Sequence, residues 1–177
     1  MAFKRQSHAS TGLHVLLIDT SSSSIGGNGL SNTKGLMREL AKQAYLERQL
    51  LCVIGFGNDT IDLIHGPKRP PKHYLPTLNT ITAGGGTPLR KALKYTEVLF
   101  QRWDSAQRFP ERTIYLFTDG RTNDDIEGIS LNYPINVIDT ESTSIKLGRS
   151  KHIANSLGGH YTHISQYVAG NSMPAGL

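Results

Sequence analysis

The chain has 177 residues, 37% hydrophobic and 19% charged, the make-up of a single globular domain with enough apolar material for a true core. Nineteen Lys and Arg against 14 Asp and Glu leave a net charge of +5, but the cations are scattered (Lys68-Arg69 with Lys72, Arg90-Lys91, Arg149 with Lys151) and lack the dense basic stripe of a nucleic-acid binder. A single cysteine, Cys52, rules out an internal disulfide, residues 1–10 are too polar for a signal peptide or anchor, and no run approaches the ~20 apolar residues that cross a bilayer, so the expectation is a cytoplasmic protein with neither nucleic acid nor membrane as partner.

The apolar run Leu13-His14-Val15-Leu16-Leu17-Ile18 reads as a buried strand over 13–19. It ends at Asp19-Thr20-Ser21-Ser22-Ser23, which puts one carboxylate and two hydroxyls on alternate residues leaving the strand. These are hard oxygen donors, suited to a hard divalent cation and unsuited to zinc or copper. Ser and Gly residues through Gly29 form a loop. From Ser31 to Arg48, Leu36-Met37, Leu40-Ala41 and Ala44-Tyr45 recur at helical spacing, with Lys34, Arg38, Lys42 and Glu47 on the other face. Residues 50–56 read as a second buried strand holding Cys52 as an inert thiol, and Gly55 and Gly57 mark its exit.

Thr60–Ile64 alternates and follows closely, so it is predicted to be a short antiparallel strand at a sheet edge. Pro67–Pro71 should break regular structure, and Tyr74–Ile81 is predicted as a short helix. A helix should run from Pro88 to Arg102, with Pro88 in its first turn and Thr87 as its N-cap. Thr113–Phe117 reads as a strand ending at Thr118-Asp119-Gly120, followed by a polar loop and a weak helical turn. Ile135–Ile138 reads as a strand ending at Asp139. Lys146–Leu157 reads as a helix stopped by Gly158-Gly159, Tyr161–Ile164 as the last strand, and residues 166–177 as a fraying tail.

Strands alternating with helices predict a doubly wound α/β fold. The sheet should be mostly parallel and six-stranded, with one short antiparallel edge strand and helices on both faces. The domain should span 13–165 between flexible ends at 1–12 and 166–177. Such sheets bind ligands at the carboxyl ends of their strands. The turns at Asp19 and Asp119 leave carboxyl ends, and the Gly84-Gly85-Gly86-Thr87 loop can reach the same edge.

Taken singly, each turn has an ordinary reading. Asp19 could cap a serine-rich turn, Thr87 a helix, and Asp119-Gly120 is a common turn. Asp139 reads as a structural turn residue rather than a ligand. Asp124 and Asp125 read as a solvated loop, and His65 and His73 as solvated. His152, His160 and His163 lack a metal-ligand spacing with any cysteine and read as surface or packing residues. Arg121 faces either solvent or an acidic partner.

Taken in order, Asp-x-Ser-x-Ser, Gly-Gly-Thr-Pro and Thr-Asp-Gly resemble the metal-ion-dependent adhesion site of the von Willebrand factor type A domain. The resemblance spans roughly residues 13 to 165. It implies a metal site of Asp19, Ser21 and Ser23 from the first loop, Thr87 from the second and Asp119 from the third. The ion implied is Mg²⁺, with Mn²⁺ or Ca²⁺ as substitutes.

Longer phrases are similar to the integrin-I-type domain of magnesium and cobalt chelatases. They are Thr82-Ala83-Gly84-Gly85-Gly86-Thr87-Pro88-Leu89, Thr118-Asp119-Gly120-Arg121-Thr122-Asn123, Val137-Ile138-Asp139-Thr140-Glu141, and Ile153 through Tyr161. Ser22 and Ser24 stand where that family usually has Gly and Met. The ATPase-like domain and acidic, proline-rich linker of the larger chelatase subunits are not in this sequence, which resembles the module alone.

The resemblance implies a non-catalytic subunit of a chelatase that inserts Mg²⁺ or Co²⁺ into a tetrapyrrole. Its implied partners are an AAA+ ATPase subunit and a large catalytic subunit, one of which would complete the metal site with an acidic residue. Gly84 to Lys91 is glycine-rich but is not Gly-x-x-x-x-Gly-Lys-Ser/Thr, so ATP hydrolysis is assigned to a partner. The alternative is an adaptor of the same fold for another AAA+ (MoxR-like) ATPase that matures a metallocentre. A phosphatase with Asp19 as nucleophile would want a second acid two residues on, where this chain has Ser21.

Overall fold

A computed structural model describes residues 11–21, 28–74, 86–142 and 148–168. Its elements are β1 (Leu13–Asp19), α1 (Asn28–Leu46), β2 (Leu50–Gly57), β3 (Thr60–Lys68), α2 (Leu89–Ser105), β4 (Arg112–Thr118), β5 (Ile135–Asp139), α3 (Arg149–Ser156), β6 (His160–His163) and α4 (Ser165–Val168). The strands form one six-stranded sheet in the order β3-β2-β1-β4-β5-β6. Every neighbouring pair is parallel except β2 with β3. The doubly wound, mostly parallel sheet with one antiparallel edge strand is therefore present.

All seven residues of β1 are buried, and β2 and β4 are nearly so, because both faces of the central sheet are covered. On one face, Leu13, Val15 and Leu17 join Cys52, Ile54, Ile114 and Leu116 against Leu89, Leu93, Phe100 and Trp103 of α2 and Ile153 of α3. On the other, Leu16, Ile18, Val53, Tyr115 and Phe117 pack on Leu36, Met37, Leu40 and Ala41 of α1. Cys52 is buried, and burial pushes its thiol up to about 12, as expected of an inert core cysteine. At the N-terminal ends of the strands, the side chain of Arg112 is fully buried and donates to Asp104 at 2.7 Å and to Arg108 O at 2.8 Å, beneath Phe100, Trp103 and Tyr133. That hydrogen bond holds the Asp104 carboxyl below the usual carboxylate range.

Several boundaries differ from the sequence reading. α1 starts at Asn28 and ends at Leu46, and α2 continues three residues past Arg102 to Ser105. β3 is nine residues rather than five and runs through Pro67 to Lys68. An edge strand tolerates proline because one side makes no ladder hydrogen bonds, and register shifts between Leu51 and Ile54 absorb the irregularity. β6 begins one residue early, at His160, and α4 stands where a frayed tail was expected. The loop after Asp119 makes only a turn, with Ile129 N donating to Ile126 O at 3.3 Å.

Two residues also differ in role. His65 is buried rather than solvated and stacks on Tyr74 with ring centroids 4.6 Å apart. Thr87 is not the N-cap of α2. Pro88 holds that position without a side-chain cap, and Asp124 Oδ2 accepts Arg90 N–H at 2.7 Å instead. The cap arrives from a loop 34 residues downstream, beyond the reach of local sequence rules. Leu75 to Ile81 of the expected short helix, the loop positions 22–27, Gly84 and Gly85, Lys146 and Leu147, and both chain ends (1–10 and 169–177) lie outside the described residues.

Candidate metal centre

β1 and β4 are adjacent and parallel, so their carboxyl ends deliver Asp19 and Asp119 to one edge of the sheet. Asp19 is the last residue of β1 and is 1% exposed. Its Oδ1 accepts Ser21 N–H at 2.9 Å, which turns the chain sharply as the strand ends. The first loop is also tied to β2, since Thr20 N–H donates to Phe56 O at 2.8 Å. Asp119 follows β4 and is likewise buried. Its Oδ1 accepts Arg121 N–H at 2.9 Å, the same turn repeated on the neighbouring strand.

Thr118 joins the two loops. Its hydroxyl donates to Asp19 Oδ2 at 3.0 Å while accepting Gly120 N–H at 3.1 Å. Thr87 comes from the third segment, just before α2, and is buried. Its carbonyl accepts the Thr122 hydroxyl at 3.1 Å, which holds this segment against the Asp119 loop. Asp19, Ser21, Thr87 and Asp119 thus lie on three separated segments that hydrogen bonds of ordinary length tie together. Ser23 lies outside the described residues.

Gly120 makes the gathering possible. Its φ is +73°, and a Cβ there would stand 2.6 Å from Ser150 N in the first turn of α3. The Ser150 hydroxyl reaches back to Thr118 O at 3.3 Å and to Asp139 Oδ1 at 3.2 Å. α3 therefore braces the loop that carries Asp119.

The electrostatics set this corner apart. Burial, partly offset by hydrogen bonds from Ser21 and reinforced by the charge of Asp119, pushes the Asp19 carboxyl up to about 6. Asp119 Oδ2 is buried without a hydrogen-bond partner among the described residues, and Arg121 Nε lies 3.7 Å from it. Two carboxylates in one buried corner, one with an oxygen that accepts no hydrogen bond from the described residues, form an environment short of positive charge. Among the described residues no three His, Cys, Asp or Glu side chains gather as a metal site, so a cation here would depend on two carboxylates with hydroxyl oxygens. That donor set is all hard oxygen, and with an unpartnered oxygen it fits a hard divalent ion.

Asp139 closes the comparison along the rim. It ends β5 with the same turn, Oδ1 accepting Glu141 N–H at 3.0 Å, but its Oδ2 accepts the Tyr161 hydroxyl at 2.8 Å. It is a satisfied structural residue, as the sequence reading held. The sequence reading assigned no role to Thr118 or Ser150. Thr118 carried a signal in the Thr-Asp-Gly phrase, whereas Ser150 carried none.

The profile of the von Willebrand factor type A domain matches residues 14–121. The chain belongs to this family. The solved SpRpn10 VWA domain superposes with a TM-score of 0.58 over 94% of this chain and 98% of that one, at 12% identity, a likeness of fold alone. The magnesium-chelatase 67 kDa subunit of Chlorobaculum tepidum is 24% identical over 98% of this chain and 32% of its own length. The magnesium-chelatase 60 kDa subunit of Cereibacter sphaeroides is 31% identical over 83% of this chain and 25% of its own length. This von Willebrand factor type A chain therefore spans between a quarter and a third of the length of those relatives.

Proposed function

We propose that this von Willebrand factor type A chain is a non-catalytic, metal-dependent protein-binding module of an ATP-dependent chelatase that inserts Mg²⁺ or Co²⁺ into a tetrapyrrole. The observation that carries the reading is the meeting of Asp19 and Asp119 in one buried corner, with Asp119 Oδ2 left without a hydrogen bond. The likeness to magnesium-chelatase subunits supports the setting.

Asp19, Ser21, Ser23, Thr87 and Asp119 would hold Mg²⁺, with Mn²⁺ or Ca²⁺ as substitutes. When bound, the ion supplies a positive anchor with room for an outside oxygen ligand. The chain's own residues do the rest. Thr118 ties down Asp19, the two aspartate turns fix one oxygen of each carboxylate, and Thr122 holds the Thr87 segment beside them. Hydroxyl donors are neutral, so with one carboxylate in direct contact the ion would keep positive character, and an acidic side chain of another protein would complete the site.

Two open grooves flank this rim and offer surface for such a partner. One, about 510 Å³, runs along Thr87, Arg90, Lys91 and Lys94. The other, about 580 Å³, lies between Thr122–Gly128 and α3. The partners in this reading are an AAA+ ATPase subunit, which supplies the ATP hydrolysis that this glycine-rich loop lacks the residues for, and the large tetrapyrrole-binding subunit. No helix among the described residues is long and apolar enough to cross a membrane.

The test is a pull-down of the cognate AAA+ subunit with and without chelator. Wild type is expected to capture it in Mg²⁺ and lose it in EDTA, and Asp19→Ala to fail in both while keeping the wild-type circular dichroism spectrum. Capture that ignores both EDTA and Asp19→Ala would remove the docking role.

A further inference from the structure

Arg121 stands over the candidate centre in a divided role. Its backbone N–H donates to Asp119 Oδ1 at 2.9 Å and closes the turn. Its side chain reaches the other oxygen of the same carboxylate, with Nε 3.7 Å from Oδ2. At that distance the pair is held by charge and makes no hydrogen bond, which is why Oδ2 remains an unpartnered buried atom. The arginine side chain is 39% exposed and the carboxylate 2%. The cation has a path to water; the anion has none.

Neighbouring cations are directed elsewhere. The Arg149 guanidinium points to Thr122 O at 3.5 Å, Arg90 donates to Asp125 O, and Lys91 donates to Asp59 O at 2.9 Å. A divalent ion on Asp119 Oδ2 would meet Arg121 as a like charge beside the same oxygen, so each disfavours the other. The exposed, flexible arginine is the one free to withdraw.

We propose that Arg121 is a resident counter-ion that occupies Asp119 in the metal-free protein and is exchanged for the divalent cation, so that its side chain sets the affinity of the centre. The inference rests on the metal reading above; what it adds is the exchange. Because the metal-ready state is only the fraction with Arg121 withdrawn, the apparent affinity is lowered by that fraction. The backbone turn does not depend on the guanidinium, so a side-chain substitution removes the counter-ion and leaves the loop hydrogen bond in place.

The experiment is calorimetric titration of Mg²⁺ into the full chain, with Arg121→Gln, Arg121→Lys and Asp19→Ala alongside. Arg121→Gln is expected to bind about tenfold more tightly than wild type, and Arg121→Lys to stay near wild type. The Arg121 Nε–H resonance should move on Mg²⁺ addition towards the position of solvated arginines. An unchanged or weaker affinity in Arg121→Gln, or a resonance that stays put while Mg²⁺ binds, overturns the exchange. If neither wild type nor Arg121→Gln takes up Mg²⁺, the metal reading itself falls. If wild type binds, Asp19→Ala does not, and Arg121→Gln matches wild type, only the exchange falls.

Discussion

Three parallel strands of this sheet end in the same device, an aspartate whose Oδ1 accepts the N–H two residues on: Asp19 after β1, Asp119 after β4 and Asp139 after β5. What differs is the second oxygen. That of Asp139 takes the Tyr161 hydroxyl, and Ser150 adds a further bond to Oδ1, so the carboxylate is spent on holding β5, β6 and α3 together. Burial and this bond to Asp139 push the Tyr161 hydroxyl up to about 12. That of Asp119 has no hydrogen bond among the described residues, and Asp19 lies with it in the same buried corner. Identical local turns therefore differ in what tertiary neighbours do with one remaining oxygen.

The contrast breaks first at Asp139. Asp139→Ala removes the acceptor of the Tyr161 hydroxyl and of Glu141 N–H and one of the two acceptors of the Ser150 hydroxyl. It should cost about 4 kcal/mol in urea unfolding while leaving any Mg²⁺-induced rise in Tm in place. A loss of the Mg²⁺ response by a still-folded Asp139→Ala would blur the two classes of aspartate.

The pH dependence sharpens the other side. The folded-state value of Asp19 lies above its unfolded value of 3.8, at about 6, so the native state holds the extra proton between them. Metal-free stability should then fall as pH rises through roughly 4 to 6 and level off above, by about 3 kcal/mol in all. Saturating Mg²⁺ should remove that fall. Thermal unfolding in EDTA from pH 4 to 8 reads it directly, and a rise across the window would contradict the assigned burial of Asp19.

Smaller effects follow at the brace and at the carboxylate itself. Gly120→Ala forces a Cβ against Ser150 N at a positive φ and should destabilise by about 2 kcal/mol, with weaker Mg²⁺ binding because the Asp119 loop shifts. Asp19→Asn relieves repulsion with Asp119 but loses an acceptor for Thr118. The metal-free protein should gain about 1 kcal/mol in stability at pH 8 and lose its Mg²⁺ response. Destabilisation by Asp19→Asn in EDTA would place Asp19 with Asp139 among the structural residues.

Much of this was legible because the signals are local and strong. Strands β1, β2, β4 and β5 are continuous apolar runs, and each of the three aspartates closes or follows one of them. The parts that were not legible depend on distant contacts. Asp124 caps α2 from another loop, β3 extends through Pro67 because its outer side needs no ladder bond, and His65 is covered by Tyr74. In sequence only the Thr-Asp-Gly phrase sets Asp119 apart from Asp139. Tyr161 and Ser150, 22 and 11 residues away, do so in space.

The most direct test is a crystal structure of the chain grown in Mg²⁺. The account predicts one ion with oxygens of Asp19, Ser21, Ser23, Thr87 and Asp119 in or just outside its octahedral shell, ligand distances of about 2.1 Å, and Arg121 turned away from Asp119. A metal-free corner at saturating Mg²⁺, with Arg121 still seated on Asp119, would contradict it.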